Sequence, residues 1–548
     1  MIVGLEREYR MKRRDFMKYV LAGGITTPSL AQCAFPMVRN NEGNEAAQTS
    51  GKRPNIIVIM ADDMGFSDLG CYGGEIDTPN IDRLAAEGMR FSQFYNCAVC
   101  GPSRSSLLSG LYHHQVGVRN WTGKLPNNCT TIAELLHEDG YTTMMVGRMD
   151  FITVGNWYEP KVAERYLDHF FGSNGHTGPG NYFKAIRGVQ ILLYGKEYQI
   201  PEEGFYSTDA MNDYAVKFLE EAVCKDKPFF LYAAPSAPHW PLHAKPEDIA
   251  KYREKYRKQG WDKLREHRRQ RLVEMGLVDE RTALSPRDKR VPVWEEAKDK
   301  DWEAERMAVY AAQIDCLDQG VGRILTKLKQ MGVEDNTLIV FLSDNGASDQ
   351  GGPKGWFNIP NWRLDGQPTR WGNSPSIMPG PADTFCSYGP PWANVSNTPF
   401  RQYKGTNYEG GISTPLIARW PSVIRRGGTI THQTGHIIDI MATCLDVAGI
   451  KYPAEFAGRK ILPLEGKSLL PIFQGKRRRG HKALYWELSG HLAMRMAKWK
   501  LTAMKNKGWE LYDLETDRSE MNNLADKYPP KVEQMKKMYE AWARRCGV

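Results

Sequence analysis

The sequence predicts an α/β protein with a large, mostly parallel central sheet flanked by helices. A smaller C-terminal α+β subdomain, carrying a short antiparallel sheet, is predicted to follow it. From residue 55 onward, short β-branched apolar runs alternate with helical segments, which is typical of a parallel sheet covered on both faces. After about residue 466 the pattern changes to closely spaced short strands and one terminal helix. A chain of 548 residues with 41% hydrophobic side chains is long enough to form both parts.

The first predicted strand covers residues 55–60, an apolar run that ends in polar residues as a buried central strand does. Further strands of the central sheet are predicted at 142–146, 227–234 and 337–342. Helices are predicted at 78–84 (ending at Gly88), 130–136 (ending at Gly140) and 306 to about 331. In the C-terminal part, strands are predicted at 483–488, 494–503 and 509–514, and a helix at 529–545.

The predicted organisation has three parts: an export signal with its linker at 1–33, a main domain at 53–465 and the C-terminal subdomain at 466–548. The charge-dense segment 245–302 is predicted to form solvated helices and loops at the surface rather than a binding patch. Residues 351–400 are rich in Gly, Pro and Trp, and so long a loop in a compact domain is usually functional.

The net charge of +9, from 73 basic and 64 acidic residues, mildly favours anionic ligands. It is too dilute to indicate nucleic-acid binding, so no nucleic-acid partner is expected. After the first 35 residues there is no uninterrupted apolar run of about 18 residues. This excludes a multi-pass membrane protein, and no stable membrane span is expected.

The N-terminal segment has the composition of a targeting sequence. Residues 11–18 (Met-Lys-Arg-Arg-Asp-Phe-Met-Lys) resemble a twin-arginine signal, and Ser29-Leu30-Ala31 suits cleavage. We therefore expect an exported protein, periplasmic or extracellular; a plain basic tail is the alternative. Export permits disulfides, but ten cysteines in a chain of this length are not a disulfide scaffold.

Two pairs of oxygen-bearing side chains follow predicted strands. Asp62-Asp63 comes directly after the first strand, and Asp344-Asn345 follows the strand at 337–342. Because ligands gather at the carboxyl ends of strands in open α/β sheets, both pairs are expected to meet at one site. Oxygen ligands suit Ca²⁺ or Mg²⁺ better than zinc. Each pair taken alone is equally typical of a helix cap or a turn.

The run Cys100-Gly-Pro-Ser-Arg104, followed by Leu-Leu-Ser-Gly110, carries the most specific pattern. It resembles the signature of type I sulfatases, in which the cysteine is oxidised to 3-oxoalanine (formylglycine), whose hydrate is the nucleophile. Pro102 can begin a helix, which would place residue 100 near a positive N-terminus. The alternative is a redox or zinc Cys-x-x-Cys formed with Cys97, but no second such motif accompanies it.

The resemblance extends from about residue 53 to 525, is closest to arylsulfatase-type members and implies an alkaline-phosphatase-like fold. Besides the signature, the matching segments are 54–63, 77–84, 237–241, 342–346, 397–411, 509–514 and 522–524. The resemblance implies that the main domain, residues 53–465, is the catalytic domain. So many motifs in the right order make the resemblance specific.

Carried over residue by residue, the resemblance implies a catalytic site. The residues that would hold Ca²⁺, with Mg²⁺ as the alternative, are Asp62, Asp63, Asp344, Asn345 and the formylglycine formed from Cys100. Arg104 would hold the hydrate, His239 would donate a proton to the leaving oxygen, and Lys404 would neutralise the transferring sulfuryl group.

One segment departs from the family pattern. Where the family has Lys-Trp-His, this chain has Arg148-Met149-Asp150. Arg148 keeps the positive charge with a different geometry. Ionised Asp150 accepts hydrogen bonds but donates none, unlike the histidine it replaces. We expect Asp150 to support turnover of an unusual substrate; binding a cation, or an impaired enzyme, are the alternatives.

The main hypothesis is therefore hydrolysis of sulfate monoesters of a sulfated carbohydrate, small molecule or aryl alcohol. A formylglycine-generating maturation enzyme would be a partner. The alternatives are a phosphonate monoester or phosphodiester hydrolase on the same scaffold, and a catalytically silent sulfate-binding homologue. Weaker substrate-contact candidates are His243, His491, Arg495 and the tryptophans of the long loop, Trp356, Trp362, Trp371 and Trp392.

Overall fold

The computed structural model describes residues 52–119, 127–148, 153–154, 157–158, 166–173, 181–184, 189–350 and 366–548. They belong to one compact unit, Thr49–Val548. The helices are α1 (Pro79–Glu87), α2 (Cys100–Ser109), α3 (Ile132–Glu138), α4 (Ser207–Val223), α5 (Pro246–Ala250), α6 (Arg253–Glu274), α7 (Lys300–Gln330), α8 (Gly389–Ser396), α9 (Glu409–Ile412), α10 (Asp439–Ala448), α11 (Leu470–Phe473) and α12 (Pro529–Cys546).

The strands follow the same chain order. They are β1 (Asn55–Ala61), β2 (Met89–Tyr95), β3 (Thr142–Arg148), β4 (Thr153–Val154), β5 (Trp157–Tyr158), β6 (His169–Ser173), β7 (Ile191–Leu193), β8 (Lys196–Glu197), β9 (Phe229–Ala234), β10 (Thr337–Ser343), β11 (Arg370–Trp371), β12 (Thr384–Phe385), β13 (Ser413–Arg419), β14 (Thr429–Thr431), β15 (Gly435–His436), β16 (Glu455–Phe456), β17 (Arg459–Lys460), β18 (Leu484–Leu488), β19 (His491–Met496), β20 (Trp499–Ala503) and β21 (Glu510–Asp513).

The central sheet confirms the predicted fold class. Its order is β14-β2-β13-β10-β1-β9-β3-β6-β7-β8, with β15 also paired to β2. The middle strands β10, β1, β9, β3 and β6 are parallel to one another. Antiparallel neighbours lie on both sides, β13 next to β10 and β7 next to β6. The strands predicted in the central sheet all form there.

Strand β1 shows why the sheet is buried on both faces. Ile57 and Ile59 pack into one core with α4 and α7, whereas Ile56 and Val58 pack into another with α2, α3 and α10. Successive side chains of a strand point to opposite faces, so an unbroken apolar run fits only a sheet covered by helices on both sides.

The prediction for the charge-dense segment 245–302 is wrong in part. Helix α6 packs against α7 and α8, and its Trp261 is buried. The Trp261 ring centroid lies 4.6 Å from that of Trp294 and 5.6 Å from that of Trp392. The many Lys, Arg and Glu residues hide this apolar stripe from a composition argument, because long charged side chains can occupy the opposite face.

The C-terminal part confirms the predicted antiparallel sheet and terminal helix. The sheet has the order β18-β19-β20-β21, and helix α12 packs its Met535 and Trp542 against it. The strand predicted at 494–503 is two strands, because the chain turns at Ala497, whose φ is +50°. The boundary near residue 466 stays a prediction. Among the helices of the described residues, none is long and apolar enough to cross a membrane.

Candidate active site

The two acidic motifs meet at one edge of the central sheet. Strands β1 and β10 are parallel, with Ala61 opposite Ser343, so the residues that follow both strands leave the sheet side by side. The Asp63 amide donates to Asp344 Oδ1 at 3.1 Å, and Asn345 Nδ2 donates to Asp63 Oδ1 at 2.7 Å. The expected convergence of these side chains is found.

The oxygens gathered there are suited to a cation. Among the residues that the structure describes, no hydrogen-bond partner is found for three buried oxygens, Asp62 Oδ1, Asp63 Oδ2 and Asn345 Oδ1. Buried oxygens left unpaired cost free energy, and a hard cation would satisfy them. Burial and the nearby charge of Asp62 raise the pKa of Asp344. Ionised carboxylates this close to one another are unfavourable unless a positive ion binds between them. The donor set therefore fits Ca²⁺ or Mg²⁺.

The imidazole of His239 also approaches these oxygens. Ligand atoms of Asp62, Asp63 and His239 lie within 4.8 Å of one another, and this is the one such group of three found among the described residues. Neither Cys97 nor Cys100 belongs to this group. The arrangement gives no support to a zinc site on the Cys-x-x-Cys.

Residue 100 lies at the start of a helix, as predicted from Pro102. Strand β2 ends at Tyr95 and α2 begins at Cys100 with Pro102 in its first turn. Cys100 is 2% exposed. The unpaired amides and the dipole of the first turn favour negative charge at this position. Gly110, with φ of +67°, ends the helix in the left-handed conformation that glycine adopts readily.

Two arginines connect the acidic motifs to residue 100. Arg148, the last residue of β3, places Nη1 2.5 Å from Asp62 Oδ2 and Nη2 3.6 Å from Cys100 Sγ. Arg104, fully buried in α2, places Nη2 2.8 Å from Asp344 Oδ2 and 3.4 Å from Asp62 Oδ2. Burial alone would raise the pKa of Asp62, but Arg148, with its cationic neighbours, holds that pKa well below its usual range.

Lys404 and His239 complete the ring of side chains. Lys404 Nζ lies 2.5 Å from Asp63 Oδ1, and the charge of Asp63 raises the pKa of Lys404 despite its burial. His239 Nδ1 lies 2.5 Å from the Trp240 carbonyl oxygen, and Nε2 lies 3.5 Å from Asp63 Oδ2. Burial lowers the pKa of His239, against the raising effect of Asp63. Nδ1 therefore donates to the backbone, and Nε2 faces the site.

Of the predicted site residues, Asp150 lies outside the described residues. The others are brought together in this one cluster: Asp62, Asp63, Cys100, Arg104, Arg148, His239, Asp344, Asn345 and Lys404. The loop that carries Asp344 and Asn345 packs closely against the backbone at Gly410. A Cβ on Gly346 would lie 1.8 Å from the Gly410 carbonyl oxygen.

Nothing in the sequence singles out the residues that support Asp63. Asp63 has φ of +66°, a conformation that costs energy in a non-glycine residue. The Tyr310 hydroxyl donates to Asp68 Oδ2 at 2.8 Å and lies 3.3 Å from the Asp63 carbonyl oxygen. Arg268 Nη1 lies 2.8 Å from Asp68 Oδ1. These three side chains hold the turn that presents Asp63.

The weaker substrate-contact candidates serve mostly as structure. His243 is fully buried; it accepts from the Tyr182 amide and donates to the Thr384 carbonyl, so both ring nitrogens bond to the backbone and its role as a pocket residue stays a prediction. Trp392 is buried in the core, whereas Trp371 is 37% exposed. Trp356 and Trp362 lie outside the described residues.

Comparison with known proteins identifies the family. The Sulfatase family model matches residues 54–450, and the model "N-sulphoglucosamine sulphohydrolase, C-terminal" matches 403–544. An arylsulfatase of Klebsiella aerogenes is 34% identical, covering 80% of this chain and 95% of its own. An uncharacterized sulfatase of Schizosaccharomyces pombe is 33% identical, covering 91% and 95%. The crystal structure of Ps i-CgsB with k-i-k-neocarrahexaose is similar at a TM-score of 0.65, with 26% identity and coverage of 90% and 93%. The chain belongs to the sulfatase family, sulfuric ester hydrolases of the alkaline-phosphatase-like superfamily.

Proposed function

We propose that this chain hydrolyses sulfate monoesters of a sulfated carbohydrate or aryl alcohol and releases inorganic sulfate. The observation that carries the proposal is the convergence of three carboxylates, three cationic side chains and a histidine around residue 100 at the head of α2. The names of its relatives, an arylsulfatase among them, support the same reaction class.

The site would be completed by a cation and by a modification of Cys100. We propose that Asp62, Asp63, Asp344 and Asn345 hold Ca²⁺, with Mg²⁺ as the alternative. When present, the cation would polarise the sulfate oxygens, and the hydrate of formylglycine at position 100 would supply the nucleophilic hydroxyl.

The charges of the chain's own residues favour an anionic substrate. The guanidinium and ammonium groups of Arg104, Arg148 and Lys404 balance the three buried carboxylates, so any bound divalent ion leaves the site positive. Arg148 can direct its fork at two sulfate oxygens, and Lys404 can neutralise a third. Both side chains are buried, so water does not screen these contacts.

His239 is proposed to protonate the leaving oxygen. Its Nδ1–H is held by the Trp240 carbonyl, which fixes the ring and leaves Nε2 facing the site. Nε2 therefore acts as a donor in the imidazolium form and as an acceptor in the neutral form. A proton held at Nε2 can pass to the departing alcohol and be regained for the next turnover.

Asp150 and the N-terminal segment remain proposals drawn from the sequence. Comparing Asp150→His and Asp150→Ala with the parent tests whether Asp150 supports turnover; an Ala variant that matches the parent means that Asp150 has no role. Export to the periplasm or the exterior is tested by fractionating cells that carry the parent or a variant with both signal arginines, Arg13 and Arg14, changed to Lys.

The deciding experiment uses protein produced together with a formylglycine-generating enzyme. Mass spectrometry of the peptide that carries residue 100 reports its conversion, and turnover is compared on an aryl sulfate and an aryl phosphodiester. Cys100→Ala should lose roughly 10³-fold or more of the sulfatase activity, as nucleophile knockouts do. Cys97→Ala, a buried cysteine three residues away, is the matched control and should retain it.

Two outcomes would contradict the proposal. Preference for the phosphodiester would favour the phosphonate monoester or phosphodiester hydrolase. Unmodified Cys100 in protein from the native host, with no turnover of either ester, would favour the silent sulfate-binding homologue.

A further inference from the structure

A cavity of about 190 Å³ lies beside the C-terminal sheet, and none of its lining residues belongs to the active site. It is bounded by residues 433–434 of the β14–β15 connection, by the segment 477–481 ahead of β18, and by Arg495 and Ala497 at the end of β19. Neither aspartate nor glutamate lines it. Its volume is below the roughly 300–1,000 Å³ of pockets for drug-sized ligands, so it admits one small group.

The cavity is positively charged. Arg477 is exposed at its mouth, and no carboxylate among the described residues pairs with it. Arg478 pairs with Asp439 at 2.8 Å, and the same carboxylate lies 2.6 Å from His481. The remaining contacts of Arg478 are carbonyl oxygens, which carry no net charge. One carboxylate therefore serves two basic side chains, and Arg477 is uncompensated.

Arg495 adds a further positive charge that no carboxylate among the described residues contacts directly; the charge of Glu409, which accepts from the Tyr95 hydroxyl, offsets it in part. Its guanidinium donates to the Tyr95 hydroxyl, to the Gln93 amide oxygen and to the Ala497 carbonyl, all of them neutral groups. The segment 476–482 that forms one wall reads Lys-Arg-Arg-Arg-Gly-His-Lys, so the positive potential extends from the cavity to the surface around it.

The cavity is joined to the active site by a single cluster of side chains. Leu484 lines the cavity and packs in the same hydrophobic cluster as Tyr95 and Cys100. Tyr95 also accepts the hydrogen bond from Arg495. The two sites therefore share one buried wall.

We propose that this cavity binds a sulfate or phosphate oxyanion, and that its occupant in function is a second sulfate group of a multiply sulfated glycan. The planar fork of arginine matches two oxygens of such a group, and the basic segment attracts the rest of a polyanionic chain. This assignment deepens the proposed function and rests on its sulfated substrate.

The test measures binding without turnover, in the full chain carrying Cys100→Ala. The probe is a fluorescein-labelled heparin hexasaccharide, followed by fluorescence anisotropy. Arg477→Glu should raise Kd about tenfold or more, as the loss of one hydrogen bond to a charged group does. Arg479→Glu is the control, since it changes the net charge equally but does not line the cavity.

A second variant adds bulk at the cavity wall without changing the charge. A Cβ on Gly480 meets no atom within 4 Å, so Gly480→Leu is compatible with folding and places a side chain at the cavity wall. It should raise the Kd for the hexasaccharide as much as Arg477→Glu does. The Tm of the same variants, compared in sodium sulfate and in sodium chloride at equal ionic strength, tests whether free sulfate occupies the cavity.

Equal weakening by Arg477→Glu and Arg479→Glu, with no effect of Gly480→Leu, would overturn the proposal in favour of diffuse surface charge. Stabilisation by free sulfate that Gly480→Leu abolishes, with unchanged hexasaccharide affinity, would overturn the glycan assignment. Failure of the proposed function would be seen separately, as absence of formylglycine or of aryl sulfate turnover in the chain with Cys100 intact.

Discussion

Arg148 lies between the acidic cluster and residue 100 and, like Asp150, belongs to the segment that is expected to depart from the family pattern. Its Nη1 is 2.5 Å from Asp62 Oδ2, and its Nη2 is 3.6 Å from Cys100 Sγ. Arg148→Met keeps most of the aliphatic stem and removes both contacts. Arg148→Lys keeps the charge and removes the fork.

The size of the effect follows from these contacts. Removing one partner of a buried ion pair costs about 3–5 kcal/mol of stability. The lower end applies here because Asp62 also has Arg104 Nη2 at 3.4 Å. Loss of one donor aimed at the developing charge lowers kcat by about 10²–10³-fold. Arg148→Lys should lose less kcat than Arg148→Met, because the charge is preserved although the fork is lost.

The assay is kcat on an aryl sulfate at saturating Ca²⁺, with conversion of residue 100 measured in each variant and unfolding followed separately. Arg419→Met is the matched control. Arg419 is 4% exposed and has two carboxylate partners, but it pairs with Ile339, at the far end of β10 from the site. An Arg148→Met enzyme within about threefold of the parent kcat, with residue 100 fully converted, would refute the reasoning.

Tyr310→Phe removes the hydroxyl that holds Asp68, so Ca²⁺ affinity measured by calorimetry should fall about tenfold while the fold is retained. Burial and the charge of Glu409 raise the pKa of Glu520 from 4.5 to about 7, although the charge of Lys500 acts in the opposite direction. The folded state therefore binds more protons between these values, and stability falls as pH rises through that window. In Glu520→Gln, the decrease in the free energy of unfolding between about pH 5 and pH 8 should be smaller by on the order of 2 kcal/mol, as measured by denaturant titration. Chelation of divalent ions should lower Tm and abolish turnover, and added Ca²⁺ should restore both; unchanged Tm and turnover after chelation would contradict a structural and catalytic ion.

The meeting of the two acidic motifs could be predicted because it depends on local signals. Asp62-Asp63 and Asp344-Asn345 each follow a short apolar strand, and parallel neighbouring strands end at the same edge of a sheet. The position of Cys100 at the start of α2 could be predicted for a similar reason, since Pro102 favours the first turn of a helix.

The residues that support the site could not be predicted, because they depend on packing between distant segments. Tyr310 and Arg268 reach Asp68 from two helices that follow it by about 240 and 200 positions. Arg268 also lies in a segment whose charge content indicates a solvated surface. Only the packing of α6 against α7 and α8, which buries Trp261, brings Arg268 to the turn that presents Asp63.

The central claim is that a divalent cation and residue 100 face each other across one sulfate-binding site. A crystal structure of the formylglycine-containing protein with Ca²⁺ and sulfate, using anomalous scattering to identify the ion, tests it most directly. We expect calcium bound by Asp62, Asp63, Asp344 and Asn345, with sulfate between that ion, residue 100 and Lys404. Calcium bound elsewhere, or residue 100 turned away from the sulfate, would contradict it.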